Sequence, residues 1–63
     1  MKRRDFLKHL LRQGCVFVRE GGKHSIFFNP GTKRMSTVPR HSELDDFLAK
    51  KICRDLGIEE LKK

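Results

Sequence analysis

Three histidines are the residues of this 63-residue chain with acid–base chemistry of their own, and one is placed where chemistry is practical. His24 closes the run Gly21-Gly22-Lys23-His24, where a glycine turn gives way to the strand-like stretch Ser25-Ile26-Phe27-Phe28. Imidazole gives and takes a proton near neutral pH, so a histidine beside a mobile turn on a cationic surface suits work on a phosphodiester. The competing reading is an ordinary surface histidine. Lys23 is the neighbour able to stabilise charge developing on a phosphate, with a solvated lysine as the alternative. His41 follows Pro39-Arg40 ahead of the second helix, where capping or surface exposure is favoured over contact with phosphate. His9 falls between Lys8 and Arg12 and reads as part of a basic helical face. No histidines or cysteines stand at metal-ligand spacing, and the acids gather late in the chain without a paired-carboxylate signature. A metal-dependent nuclease is therefore disfavoured, and no cofactor is expected.

The chain around these residues is small and basic. Sixty-three residues make one domain, 1–63, which buries only roughly 60% of the surface its unfolded chain exposes. Such a domain holds no large substrate cavity, so an active site must be shallow and its substrate must bring its own size. The net charge of +7 is uneven: residues 1–13 and 14–41 each carry +4, whereas residues 42–63 carry −1. Charge of this kind attracts polyanions, nucleic acid above all. The bland alternative is a highly soluble protein whose charge has no partner. The RNA-binding candidates are Lys2, Arg3, Arg4, Lys8, Arg12, Lys23, Lys33, Arg34 and Arg40, with contacts expected at phosphate and 2′-hydroxyl groups. At least three of the five phenylalanines are expected in the core, leaving no aromatic platform for base stacking. A membrane partner is disfavoured, because no apolar run approaches spanning length and no stretch joins a long apolar face to a basic one. Cys15 and Cys53 read as small buried side chains. With no secretory signal pattern, a cytoplasmic location is expected.

The elements that must position His24 follow from periodicity. Phe6, Leu7, Leu10 and Leu11 predict a helix over 2–13, stopped by Gly14, with Arg4, Lys8 and Arg12 on its opposite face. Residues 15–20, 23–28 and 34–38 predict three strands. Gly21-Gly22 marks the first turn; in the second, Asn29 to Lys33, proline fixes one dihedral and glycine supplies a positive one. Leu48, Ile52 and Leu56 predict a second helix starting between Ser42 and Asp45 and ended by Gly57, with Ile58 to Lys63 able to add one frayed turn. The order α-β-β-β-α predicts an α+β fold, an antiparallel sheet covered on one face by both helices. Alternation leaves open which face His24 takes, because both faces of its strand hold apolar residues.

Taken in order, these segments resemble the HicA-type toxins of bacterial toxin–antitoxin pairs, which are small mRNA-cleaving ribonucleases. The likeness rests on the helix Lys2–Gln13 with Gly14, on Gly22-Lys23-His24, on Ile26-Phe27 with the Pro30 turn, and on Thr37-Val38-Pro39 leading to Arg40-His41. Asp55-Leu56-Gly57-Ile58 completes it, so nearly the whole chain is covered. Lys23 stands where many members carry serine, Ser25 where a second histidine or an apolar residue is common, and Leu44-Asp45-Asp46 where glycine is common. None of these departures touches His24. The resemblance implies a fold like the double-stranded-RNA-binding domain, RNA cleavage with His24 as the catalytic residue, and a HicB-type antitoxin as partner. Two other readings compete: a non-catalytic double-stranded-RNA-binding module and a ribosome-associated structural protein. Only the Gly-Gly-Lys-His-Ser segment separates the enzyme from the binding module.

Overall fold

Phe6 and Leu10 occupy one stripe of the first helix, α1 (Arg3–Arg12), and both are fully buried. In this computed structural model, which describes residues 1–60, that stripe is one wall of a single core. Gly14 ends the helix with φ 91°, and the Cys15 N–H returns to the Leu10 carbonyl at 2.9 Å. Three strands follow: β1 (Val16–Gly21), β2 (His24–Asn29) and β3 (Arg34–Pro39), antiparallel in the order β1-β2-β3. The second helix, α2 (Asp46–Leu56), completes the α-β-β-β-α order.

Both turns differ in detail from expectation. Gly21 stays in the sheet as the partner of His24, so the two-residue turn is Gly22-Lys23. Gly22 carries a positive φ of 62° and Lys23 does not, the pattern of a turn with glycine at its first central position. In the second turn the positive φ falls on Lys33 (61°), not on Gly31. Asn29 is the reason. Its Oδ1 accepts the Gly31 N–H at 2.9 Å and its carbonyl accepts the Lys33 N–H at 2.7 Å, which moves the left-handed position to the loop's end.

Helix α2 begins where its signals put it. Asp45 caps it, its side chain accepting the Phe47 N–H at 3.3 Å. At the far end Gly57 takes φ 73°. The Gly57 N–H bonds to Arg54 and the Ile58 N–H to Cys53, a paired arrangement that turns the chain away from the helix axis. Residues 58–60 are accordingly not helical, contrary to the expected extra turn; its remainder, 61–63, lies outside the described residues. Glycine is needed at 57 twice over, because a Cβ there would also stand 2.9 Å from Thr32 Cγ2.

Burial alternates cleanly along β2. Ser25, Phe27 and Asn29 are buried against the helices, whereas His24 is exposed and Ile26 and Phe28 are half-buried. Both helices therefore cover one face of the sheet, and His24 lies on the uncovered one. Phe6, Leu10, Phe27, Val38, Ile52 and Leu56 form the centre of the core, with Cys15 and Cys53 buried among them. Burial pushes the Cys15 thiol pKa up. Fewer phenylalanines are buried than expected: only Phe6 and Phe27. Phe17 is 51% and Phe47 78% exposed. Phe17 sits on the edge strand β1, where the register shifts between Phe17 and Arg19, and its ring meets that of Phe27 edge to face with centroids 5.8 Å apart. Two short helices cover the centre of a sheet and leave its rim open.

Candidate active site

His24 is the first residue of β2, so its backbone is fixed on both sides by the ladder: Gly21 pairs with it from β1 and Pro39 from β3. Its exposed side chain lines a cleft of about 460 Å³ with Gly22, Lys23, Pro39, Arg40 and His41. The sheet thus brings two histidines and two cations, distant in sequence, to one mouth. A second cleft of about 540 Å³ is lined by Lys2, Arg3, Arg4, Arg40, Ser42 and Glu43. Arg40 belongs to both, so the two clefts adjoin.

Beneath this corner runs a polar network that the sequence did not announce. Ser25, one residue after His24, is buried on the opposite face of β2. Its hydroxyl accepts from Arg3 Nη2 at 2.7 Å and donates to Glu20 Oε1 at 2.6 Å. Arg3 Nε also donates to the Pro39 carbonyl at 2.7 Å, and the Arg3 backbone N–H donates to the Ser42 carbonyl at 2.9 Å. Glu20 Oε2 meets Arg40 Nη1 at 3.2 Å. The start of α1 therefore holds the ends of β1, β2 and β3, and brackets the Pro39–Ser42 segment on both sides. A bridge pairing Lys2 with Glu43 extends the same contact.

The structure sorts the expected RNA contacts by place. Lys23 and Arg40 line the His24 cleft, and Lys2, Arg3 and Arg4 line its neighbour. Arg3 is half-buried, with its guanidinium committed to Ser25 and Pro39. Lys8 and Arg12 are exposed on α1 and line neither cleft. Lys33 and Arg34 stand at the opposite end of the sheet, a strand length of about 17 Å from His24. There Arg34 Nη1 donates to the Arg54 carbonyl at 3.3 Å.

One histidine differs from expectation, and for another the structure chooses between the two roles expected of it. His9 does not belong to the basic face of α1: it is only 7% exposed, its Nε2 donates to the Glu59 carbonyl at 2.6 Å, and its ring lies 6.4 Å from that of Phe6. The signal was present, because His9 follows Phe6 by three residues and shares its face. His41 does not cap α2, whose cap is Asp45. It is exposed and faces the His24 cleft. Among the described residues, no three histidine, cysteine or carboxylate side chains converge as a metal would require. No helix among them is long and apolar enough to cross a membrane.

A surface histidine between cations is chemistry in search of a polyanion, and the comparisons supply the context. No curated protein and no solved structure matches the chain. A family model described as the HicA toxin of bacterial toxin–antitoxin pairs matches residues 3–58, which spans both helices, all three strands and every residue lining the His24 cleft. The chain therefore belongs to the HicA toxin family and is the toxin of a toxin–antitoxin pair, with a cognate antitoxin as its partner.

Proposed function

We propose that this toxin is a metal-independent endoribonuclease that cleaves mRNA and so stops translation and growth, with His24 as general acid or base on the 2′-hydroxyl and scissile phosphate. The observation that carries this reading is the exposed His24 imidazole in a cleft walled by Lys23 and Arg40. Such a cleft accepts a backbone phosphate rather than a base. The two cations offset the charge that builds on the phosphate, and the adjoining cleft of Lys2 and Arg4 extends the cationic track for the strand. In this reading the nucleophile is the RNA's own 2′-hydroxyl, so DNA is resistant. General acid–base help of this kind is worth typically about 10²–10⁴-fold. The cognate antitoxin, of HicB type by the family resemblance, is read as covering His24.

The test is His24→Ala, followed by thermal melting, RNA binding and RNA cleavage with chelator present. His24 is exposed, so its truncation should stay within about 0.5 kcal/mol of the parent. The expected variant melts and binds RNA normally, cleaves about 10²–10⁴-fold more slowly and no longer arrests growth. The parent should cleave in chelator and leave 2′,3′-cyclic or 3′-phosphate ends. A folded His24→Ala protein that still cleaves RNA at the parental rate removes the histidine from the mechanism. A parent that binds RNA without cutting it makes the chain a double-stranded-RNA-binding module.

A further inference from the structure

We propose that His41 is a second catalytic residue, and that His24 and His41 divide the acid and base roles of RNA cleavage between them; this rests on the ribonuclease reading above. Three observations support the pair. Both imidazoles are exposed and line one cleft, one from the start of β2 and the other just past the end of β3. The backbone is held on both sides: His24 pairs in the ladder with Pro39, and Arg3 fixes the Pro39 carbonyl at 2.7 Å and the Ser42 carbonyl at 2.9 Å. His41 thus sits in a short bracketed segment and not in a free loop. Finally, neither ring has a hydrogen bond or ion pair among the described residues, whereas the third histidine, His9, is buried and bonded to Glu59.

The chemistry offers work for two such groups. Transesterification moves one proton off the 2′-hydroxyl and one proton onto the departing 5′-oxygen, on opposite sides of the phosphorus. A neutral imidazole takes the first as the 2′-oxygen bonds to phosphorus. An imidazolium supplies the second as the bond from phosphorus to the 5′-oxygen breaks. The products are a 2′,3′-cyclic phosphate and a 5′-hydroxyl, and the two rings end with their protonation exchanged, to be reset through solvent. Lys23 and Arg40, on the same cleft, meet the charge on the non-bridging oxygens. A single histidine must perform both transfers in turn, whereas two histidines on one cleft can divide them.

The test uses the whole chain and two RNA oligonucleotides. One is ordinary; in the other the bridging 5′-oxygen at the mapped cleavage position is replaced by sulfur, which leaves without a proton. His24→Ala and His41→Ala are compared with the parent, and His41→Gln provides a second variant if His41→Ala melts early. Both histidine variants are expected to lose about 10²–10⁴-fold on ordinary RNA. One of the two, and only one, is expected to recover to within about tenfold of the parent on the sulfur substrate, and that variant identifies the acid. Parental cleavage of ordinary RNA by a folded His41 variant overturns the proposal. So does recovery of both variants or of neither, because the roles are then not divided. A parent that cleaves neither substrate overturns the ribonuclease reading itself, and the pair with it.

Discussion

Replacing Arg3 by alanine should cost this protein about 2–3 kcal/mol of stability, although arginine on a basic RNA-binding protein is ordinarily read as a phosphate contact. The guanidinium makes two hydrogen bonds of 2.7 Å, to the Pro39 carbonyl and the Ser25 hydroxyl. Hydrogen bonds involving a charged group are each worth about 1.5–3 kcal/mol. The lower end applies here, because Arg3 is only half-buried and Ser25 keeps its bond to Glu20 at 2.6 Å. A domain of this length has a total stability of about 3–9 kcal/mol, so the loss is a large fraction, and Tm should fall by about 10–20 °C. Arg3→Lys should recover little, since an ammonium cannot span both acceptors as the planar fork does. A thermal double-mutant cycle of Arg3→Ala with Ser25→Ala measures the coupling, expected at about 1–2 kcal/mol. Cleavage below Tm should also drop, because Arg3 holds the segment that carries His41. If Arg3→Ala melts within about 0.5 kcal/mol of the parent and instead loses RNA affinity, the guanidinium belongs to the RNA interface and the bracketing role is wrong.

Two further outcomes follow from placement. His9→Ala should lower stability by about 2–3 kcal/mol, because it removes a bond to the Glu59 carbonyl and a buried ring against Phe6; calorimetry should show the drop, and the cleavage rate well below Tm should be unchanged. RNA affinity should weaken with salt, and replacing Lys2, Arg4 and Lys23 together should flatten the log–log slope by about 2, at about 0.7 per single-strand phosphate contact. Replacing Lys33 and Arg34, at the opposite end of the sheet, should leave the slope unchanged in the same titration.

Much of the fold is legible in the sequence. The spacing of Phe6 and Leu10, the glycines at 14 and 57, and the two turn clusters suffice for element order, because helix stripes and turn chemistry are local properties of the chain. Local rules were also enough to mark His24, since a histidine after a glycine turn is visible in four residues. Errors of detail came where side-chain bonding or packing decided the outcome. Asn29 moved the positive φ of the second turn to Lys33, the paired bonds at Gly57 ended α2 without a further turn, the limited reach of two short helices left Phe17 exposed on the edge strand, and Phe47 lies on the solvent side of α2.

The sequence by itself determined the α-β-β-β-α order, the cationic two-thirds of the chain and the candidacy of His24, since each is read from composition or from residues within one or two turns. The tertiary structure alone decided which face of β2 carries His24, that Arg3 is committed to the frame beneath the cleft, and that His41 shares that cleft while His9 is buried. The physical reason is that strand pairing is non-local. Register brings Pro39 beside His24 across fifteen residues of chain, and nothing in either segment alone states that they will meet.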